Sequence, residues 1–117
     1  MATLLVVDDD PVTQVFLEGM LLQEGHHVLL ASDGQQALDR LDDPNSCDLI
    51  LMDIQMPVLD GYQTTQQIKA RMLQQGVFVP VVFLTSVQTD QELVRCLECG
   101  GDDFINKPPN PILLRFY

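Results

Sequence analysis

The sequence predicts an α/β fold in which one parallel sheet is covered by helices on both faces. Two observations lead to this fold class. Short apolar runs alternate with helix-like segments along the whole chain, and most of these runs are continuously apolar. Strands that alternate with helices form parallel sheets with right-handed crossovers, and strands buried on both faces have no polar side. A length of 117 residues suits one domain with a single core.

Five strands and the helices between them can be placed along the chain. The strands are expected at residues 3–7, 27–31, 49–52, 79–84 and 103–106. The first helix begins at Asp10-Pro11, where an N-cap acid precedes a proline at the first helical position, and it ends at Gly25. Further helices are expected at about residues 35–41, 62–75 and 89–99, with enough chain for only two helical turns at residues 111–117.

Charge and composition exclude several classes of function. Seventeen acidic residues against six basic ones give a net charge of -11, which argues against direct binding of nucleic acid. No apolar run is long enough to span a bilayer and no signal peptide opens the sequence, so no membrane association is expected. Three cysteines, an odd number, suit free thiols in the reducing cytoplasm.

The stretch at residues 49–61 carries the strongest functional signal. Its buried apolar run ends at Asp53, and the following Met-Pro and Asp-Gly pairs predict a tight loop in which Gly61 is free to take a positive φ. A single acid after a strand usually does no more than end the strand. A rigid loop instead favours an acid held at the carboxyl edge of the sheet, where open α/β sheets bind their ligands.

Polar residues that follow four of the strands are predicted to meet at that edge: Asp8, Asp9, Asp53, Thr85 and Lys107. Two carboxylates at ~4 Å repel each other by roughly 4 kcal/mol at an effective dielectric constant of about 20, so protonation of one acid, a bound cation, or both are expected to offset the repulsion. Mg²⁺ suits a site of few carboxylates completed by water. A cation, an ammonium group and a hydroxyl around one carboxylate suit a phosphoryl group, and the carboxylate can itself be the nucleophile.

These motifs resemble the receiver domain of two-component response regulators over essentially the whole chain. The resemblance rests on LLVVDDD at residues 4–10, LILMDIQMPVLDG at 49–61, FLTS at 83–86 and GGDDFINKP at 100–108. It implies a doubly wound, flavodoxin-like sheet in the order 2-1-3-4-5. It also implies a cytoplasmic phosphoacceptor switch that catalyses only its own phosphorylation and dephosphorylation. The implied partners are a histidine kinase or phosphotransfer protein as donor and an output domain or downstream protein as target.

The resemblance assigns a role to each site residue. Asp53 would be the phosphoacceptor. Asp8 and Asp9 would hold Mg²⁺ together with Asp53 and the backbone carbonyl of Gln55.

Two further roles concern the phosphoryl group and the response to it. Thr85 and Lys107 would contact the phosphoryl group, and Thr85 with Phe104 would form the conformational switch. The family closes with a helix of about three turns, so the short C-terminus predicts a shortened last helix and a fragment of a longer regulator. A shortened last helix would alter the surface formed by the fourth helix, the fifth strand and the fifth helix. The family uses this surface for output and for forming homodimers.

The first helix has more apolar residues than one buried face requires. One set, at i, i+1, i+4 and i+5, is expected to face the sheet: Phe16, Leu17, Met20 and Leu21. A second set is expected to be partly exposed beside Asp9 and to dock the phosphodonor: Val12, Val15 and Leu22. Packing of Val12 and Val15 under the loops near Pro57 and Lys107 is the alternative.

Other interpretations also fit parts of the sequence. Residues 8–12 fit the D-x-D-x-[VT] motif of haloacid-dehalogenase-like phosphohydrolases, which are Mg²⁺-dependent, with Asp8 as nucleophile. The short chain, Pro11 inside the motif and the lack of any role for Asp53 count against this alternative. The acids at residues 8–10 also suit a simple helix cap, a role expected for Asp10. A receiver that only docks partners is a third interpretation, disfavoured by the complete set of five site residues.

Overall fold

The sheet of the computed structural model is parallel throughout and has the strand order β2-β1-β3-β4-β5. The structure describes residues 2–41, 47–54, 60–85 and 90–106. The strands are β1 (Thr3–Val7), β2 (His27–Ala31), β3 (Leu49–Asp53), β4 (Val81–Thr85) and β5 (Asp103–Asn106). The helices are α1 (Pro11–Gln23), α2 (Gly34–Arg40), α3 (Gly61–Gln75) and α4 (Asp90–Glu98). The predicted fold class and strand order are confirmed, and the predicted last helix lies outside the described residues.

The helix ends follow from local chemistry. Asp10 caps α1 by accepting a hydrogen bond from the backbone N–H of Val12. A capping box opens α3, in which the side chain of Asp60 accepts from the N–H of Gln63 and the side chain of Gln63 accepts from the N–H of Asp60. Gly76 ends α3 with a φ of 67°, a left-handed conformation that favours glycine. The start of α1 and the end of α3 were therefore predictable from single residues.

Alternate residues of the central strands pack into two cores, one on each face of the sheet. Leu5 and Val7 of β1 belong to the core beneath α2 and α3, whereas Leu4 and Val6 belong to the core beneath α1. All five residues of β3 are buried, so this strand lies between the two cores. The strand that ends at Asp53 is thus held from both sides, which fixes the position of that carboxylate. None of the helices in the described ranges is long and apolar enough to cross a membrane.

The fourth strand begins two residues later than predicted. Val79 and Pro80 precede it, and β4 starts at Val81. Proline has no N–H to donate to a sheet ladder. The carbonyl of Pro80 still accepts a hydrogen bond from the N–H of Ile50 at 3.0 Å.

Candidate metal centre

Three carboxylates meet at the carboxyl edge of the sheet. β1 and β3 are neighbours with Val7 opposite Met52, so the residues that follow these two positions come side by side. One carboxylate oxygen from each of Asp8, Asp9 and Asp53 lies within 4.8 Å of the others. Asp8 is fully buried, Asp53 is 7% exposed and Asp9 is exposed. Two residues of the cluster are therefore buried and the third is exposed.

The loop after β1 separates Asp8 from Asp10. The N–H of Asp8 donates to the carbonyl of Ala31 at 3.0 Å, and one carboxylate oxygen of Asp8 accepts from the N–H of Asp10 at 2.9 Å. The carboxylate of Asp10 accepts from the N–H of Val12 and from the hydroxyl of Thr13, both at 3.0 Å. Asp10 is thus the helix cap that the sequence predicted, while Asp8 belongs to the cluster.

The chain that follows Asp53 returns close to its backbone at Gly61. The N–H of Gly61 donates to the carbonyl of Ile54 at 2.8 Å. A Cβ atom at Gly61 would lie 2.9 Å from Cα of Ile54 and closer still to the carbonyl oxygen of Asp53. The prediction of a positive φ at Gly61 is wrong, because Gly61 is the first residue of α3. Glycine is needed there for space, and the contact links the start of α3 to the site.

The donor set of the cluster suits a hard divalent cation. All three groups supply oxygen, the ligand atom that Mg²⁺ prefers, and Mg²⁺ usually binds through few carboxylates and completes its coordination with water. Charges at such separations repel by roughly 3 kcal/mol per pair at an effective dielectric constant of about 20, so a cation would stabilise the folded state. Asp8, Asp9 and Asp53 therefore form a candidate metal centre that fits Mg²⁺.

The structure describes only some of the other predicted site residues. Thr85 ends β4, which pairs with β3 through Leu84 and Asp53, but its side chain lies outside what the structure describes. Gln55 and Lys107 also lie outside the described residues. Phe104 lies in β5 opposite Phe83, half-buried against the core. The roles of these residues stay predictions.

A tyrosine that the sequence did not single out makes two contacts at the start of α3. The ring of Tyr62, next to Gly61, packs 5.7 Å from that of Phe83. The guanidinium of Arg95 on α4 lies 4.2 Å from the centre of the Tyr62 ring and 3.9 Å from the carboxylate of Asp60. A cation over an aromatic ring is attractive. No sequence pattern pairs residues this far apart, so only the fold reveals the contact.

The outer face of α1 carries an exposed apolar surface. Val12, Val15 and Leu22 are 75%, 69% and 54% exposed, so packing of the two valines under loops is wrong. Leu17 and Leu21 are buried as predicted, but Phe16 is 48% exposed, and its predicted place against the sheet is wrong. Consecutive residues of a helix are about 100° apart, so Phe16 lies to the side of Leu17. We call the four exposed residues the α1 apolar surface: Val12, Val15, Phe16 and Leu22.

Comparison with known proteins agrees with the fold and the acidic cluster. The family model of the response regulator receiver domain matches residues 4–115. The transcriptional regulatory protein CpxR of Escherichia coli K12 is 43% identical over 110 residues, which cover 94% of this chain and 44% of CpxR. The chain thus spans less than half of the length of that relative.

Solved structures of receiver domains have the same fold as this chain. The receiver domain of the sensor histidine kinase PA1611 from Pseudomonas aeruginosa, with a magnesium ion in its active-site cleft, has a TM-score of 0.87 and 36% identity over 98% of this chain and 92% of that one. The receiver domain of Saccharomyces cerevisiae Ssk1, solved with the phosphotransfer protein Ypd1, has a TM-score of 0.89 and 29% identity over 97% and 83%.

The strand order and the acidic carboxyl edge define a flavodoxin-like, doubly wound α/β domain. The chain belongs to the response regulator receiver domain family.

Proposed function

We propose that this domain is a phosphoacceptor switch in which Asp53 takes a phosphoryl group from a phosphohistidine donor. The observation that carries the proposal is the meeting of three carboxylate oxygens within 4.8 Å, with Asp8 and Asp53 buried. A carboxylate oxygen of Asp53 attacks the phosphorus, the bond from phosphorus to the imidazole nitrogen breaks, and the imidazole leaves with the electron pair. The product is an aspartyl phosphate. Attack of water on its phosphorus breaks the bond to the carboxylate oxygen, releases inorganic phosphate and returns the free carboxylate.

Mg²⁺ is part of this proposal, held by Asp8, Asp9 and Asp53 and by the backbone carbonyl of Gln55. When bound, it would neutralise charge that builds up on the phosphoryl oxygens during transfer. The magnesium ion in the PA1611 receiver domain supports this assignment. Thr85 and Lys107 would supply the other contacts to the phosphoryl group, as the resemblance implies.

The new charge at the sheet edge is proposed to shift the domain from one conformation to a second one. The phosphoryl group carries up to two negative charges and three acceptor oxygens, while the carboxylate of Asp53 loses its own charge, so the site gains about one negative charge. Thr85 would move toward the phosphoryl group and Phe104 would turn inward, and an output domain, downstream protein or second copy would read the changed surface. The proposed setting is the cytoplasm, with a histidine kinase or phosphotransfer protein as donor, which the complex of Ssk1 with Ypd1 supports.

Mapping of the phosphorylated residue tests this function. The protein is incubated with acetyl phosphate and Mg²⁺, reduced with borohydride to convert the aspartyl phosphate, and digested for mass spectrometry. The expected product carries the modification at Asp53 and depends on Mg²⁺. Modification at Asp8 instead would favour a phosphohydrolase of the haloacid-dehalogenase type and would overturn the assignment.

Asp9→Ala is expected to weaken Mg²⁺ binding and to stabilise the metal-free protein. Mg²⁺ affinity should fall about tenfold, because one of few charged ligands is lost. The metal-free protein should gain about 1 kcal/mol of unfolding free energy, since a repelling charge is removed from a solvent-screened position. Calorimetric Mg²⁺ titration and urea unfolding with chelator measure the two effects. Glu18→Ala on α1 removes the same charge outside the cluster and should leave Mg²⁺ affinity unchanged.

Val15→Asp is expected to slow transfer from a phosphorylated histidine phosphotransfer protein at least about tenfold, while labelling by acetyl phosphate stays at the wild-type rate. The protein donor must cover the α1 apolar surface, and a buried unpaired charge there is costly. The small donor needs only the site at Asp53. Phosphotransfer is followed with radiolabelled donor.

Leu73→Asp is the matched control for the α1 apolar surface. Leu73 is 85% exposed on α3, so its replacement adds the same charge to an apolar side chain on another helix. Both donors should label this variant normally. Equal loss with both donors in Val15→Asp would mean that the substitution disturbs the fold, and the docking assignment would be withdrawn.

A further inference from the structure

We propose that Gln14 is a positioning residue for the acidic cluster: its side-chain amide fixes the peptide unit that joins Asp8 to Asp9. This inference rests on the proposed Mg²⁺-dependent function. Gln14 lies in the first half of α1, half-buried, and its carboxamide turns back toward the end of β1.

The amide nitrogen of Gln14 has three acceptors within reach. It donates a short hydrogen bond to the backbone carbonyl of Asp8. The hydroxyl of Ser32 lies 3.2 Å away and the carbonyl of Ala31 lies 3.3 Å away. A carboxamide nitrogen has two hydrogens, so it can donate to Asp8 and to the end of β2 at the same time. The amide therefore joins the loop after β1 to the loop after β2.

The loop after β2 is itself firmly held. The N–H of Ser32 donates to the side-chain oxygen of Gln36 at 2.8 Å, and Asp33 caps α2 by accepting from the N–H of Gln36 at 2.8 Å. The N–H of Asp8 donates to the carbonyl of Ala31 at 3.0 Å. Gln14 thus fastens the end of β1 to a part of the fold that α2 keeps in place.

The bond to Asp8 has a particular consequence for metal binding. The carbonyl of Asp8 and the N–H of Asp9 belong to one planar peptide unit, so holding the carbonyl sets the direction in which the chain leaves toward Asp9. Carboxylates of both residues belong to the cluster, and their mutual repulsion favours rotation of this peptide unit. A donor on the carbonyl opposes that rotation. The ligand arrangement is then formed before a cation arrives.

Gln14→Met tests the proposal, since methionine has a similar length and no amide donor. We expect the Mg²⁺ dissociation constant, measured by calorimetry, to rise about tenfold. Labelling by acetyl phosphate should require more Mg²⁺ for half-maximal rate and should return to the wild-type rate at saturating Mg²⁺. A merely structural role would lower the melting temperature and leave the Mg²⁺ dependence unchanged, and that result would overturn the proposal.

Gln23→Met on the same helix is the matched control and should keep the wild-type dissociation constant, because Gln23 is exposed at the end of α1. Should Gln14→Met fail to fold, NMR of the wild-type protein decides. The side-chain amide protons of Gln14 should exchange with solvent at least tenfold more slowly than those of Gln23. Equal exchange rates would overturn the proposal. Absence of Mg²⁺ binding by the wild-type protein would instead overturn the proposed function, so the two failures are distinguishable.

Discussion

Gly61→Ala is expected to lower the free energy of unfolding by about 3 kcal/mol and to slow labelling of Asp53 by acetyl phosphate. The added Cβ would meet the backbone of Asp53 and Ile54, with Cα of Ile54 at 2.9 Å. Overpacking of a tight site typically costs about 1 to 3 kcal/mol, and backbone atoms yield less readily than the end of a side chain. Either β3 or the start of α3 must therefore shift. Urea unfolding and the rate of labelling measure the two consequences.

A second glycine provides the control for this prediction. Gly19 lies within α1, and a Cβ atom there would meet nothing within 4 Å. Gly19→Ala should therefore stabilise the protein by about 0.5 to 1 kcal/mol, because alanine is the better helix former. Labelling should be unchanged. A Gly61→Ala variant as stable as the wild type would show that the return of the chain to Asp53 is loose, and the proposed rigid support of the phosphoacceptor would be wrong.

The sequence predicted those features that depend on local patterns. β1, β2 and β5 have the predicted bounds, and Asp10 caps α1 as expected. The meeting of carboxylates was also predictable, because the carboxyl ends of parallel strands share one edge. Asp8 follows β1 and Asp53 is the last residue of β3, and these strands are adjacent in the sheet, so the approach of the two residues required only the strand order.

Features that depend on how separate elements pack against one another could not be predicted. The need for glycine at residue 61 arises because α3 begins against the backbone of β3, and a turn motif in the sequence suggests a positive φ instead. Phe16 belongs to an apolar pattern that suits burial, but the width of the buried strip depends on how α1 lies on the sheet. The amide of Gln14 bonds to loops that are brought together only by the pairing of β1 with β2. In each case the deciding contact forms only when separate elements of the folded chain pack together.

Asp53→Asn is expected to reduce labelling by acetyl phosphate about a hundredfold or more, to background, while the domain stays folded. An amide is a far weaker nucleophile than a carboxylate but has nearly the same shape, so the buried end of β3 should be preserved. The metal-free protein should also become more stable, because one of three repelling charges is lost. Radiolabel uptake and urea unfolding in chelator measure these effects.

Two further aspartate variants make this result specific to Asp53. Asp10→Asn should keep wild-type labelling, since Asp10 caps α1 and asparagine caps a helix as well as aspartate does. Asp8→Asn should weaken Mg²⁺ binding and slow labelling, yet higher Mg²⁺ should restore part of the rate because the nucleophile remains. A phosphohydrolase that uses Asp8 as nucleophile requires the opposite pattern, in which Asp8→Asn abolishes labelling and Asp53→Asn does not. The three variants together distinguish the nucleophile, a metal ligand and the helix cap. The opposite pattern would therefore make Asp8 the nucleophile and Asp53 a metal ligand.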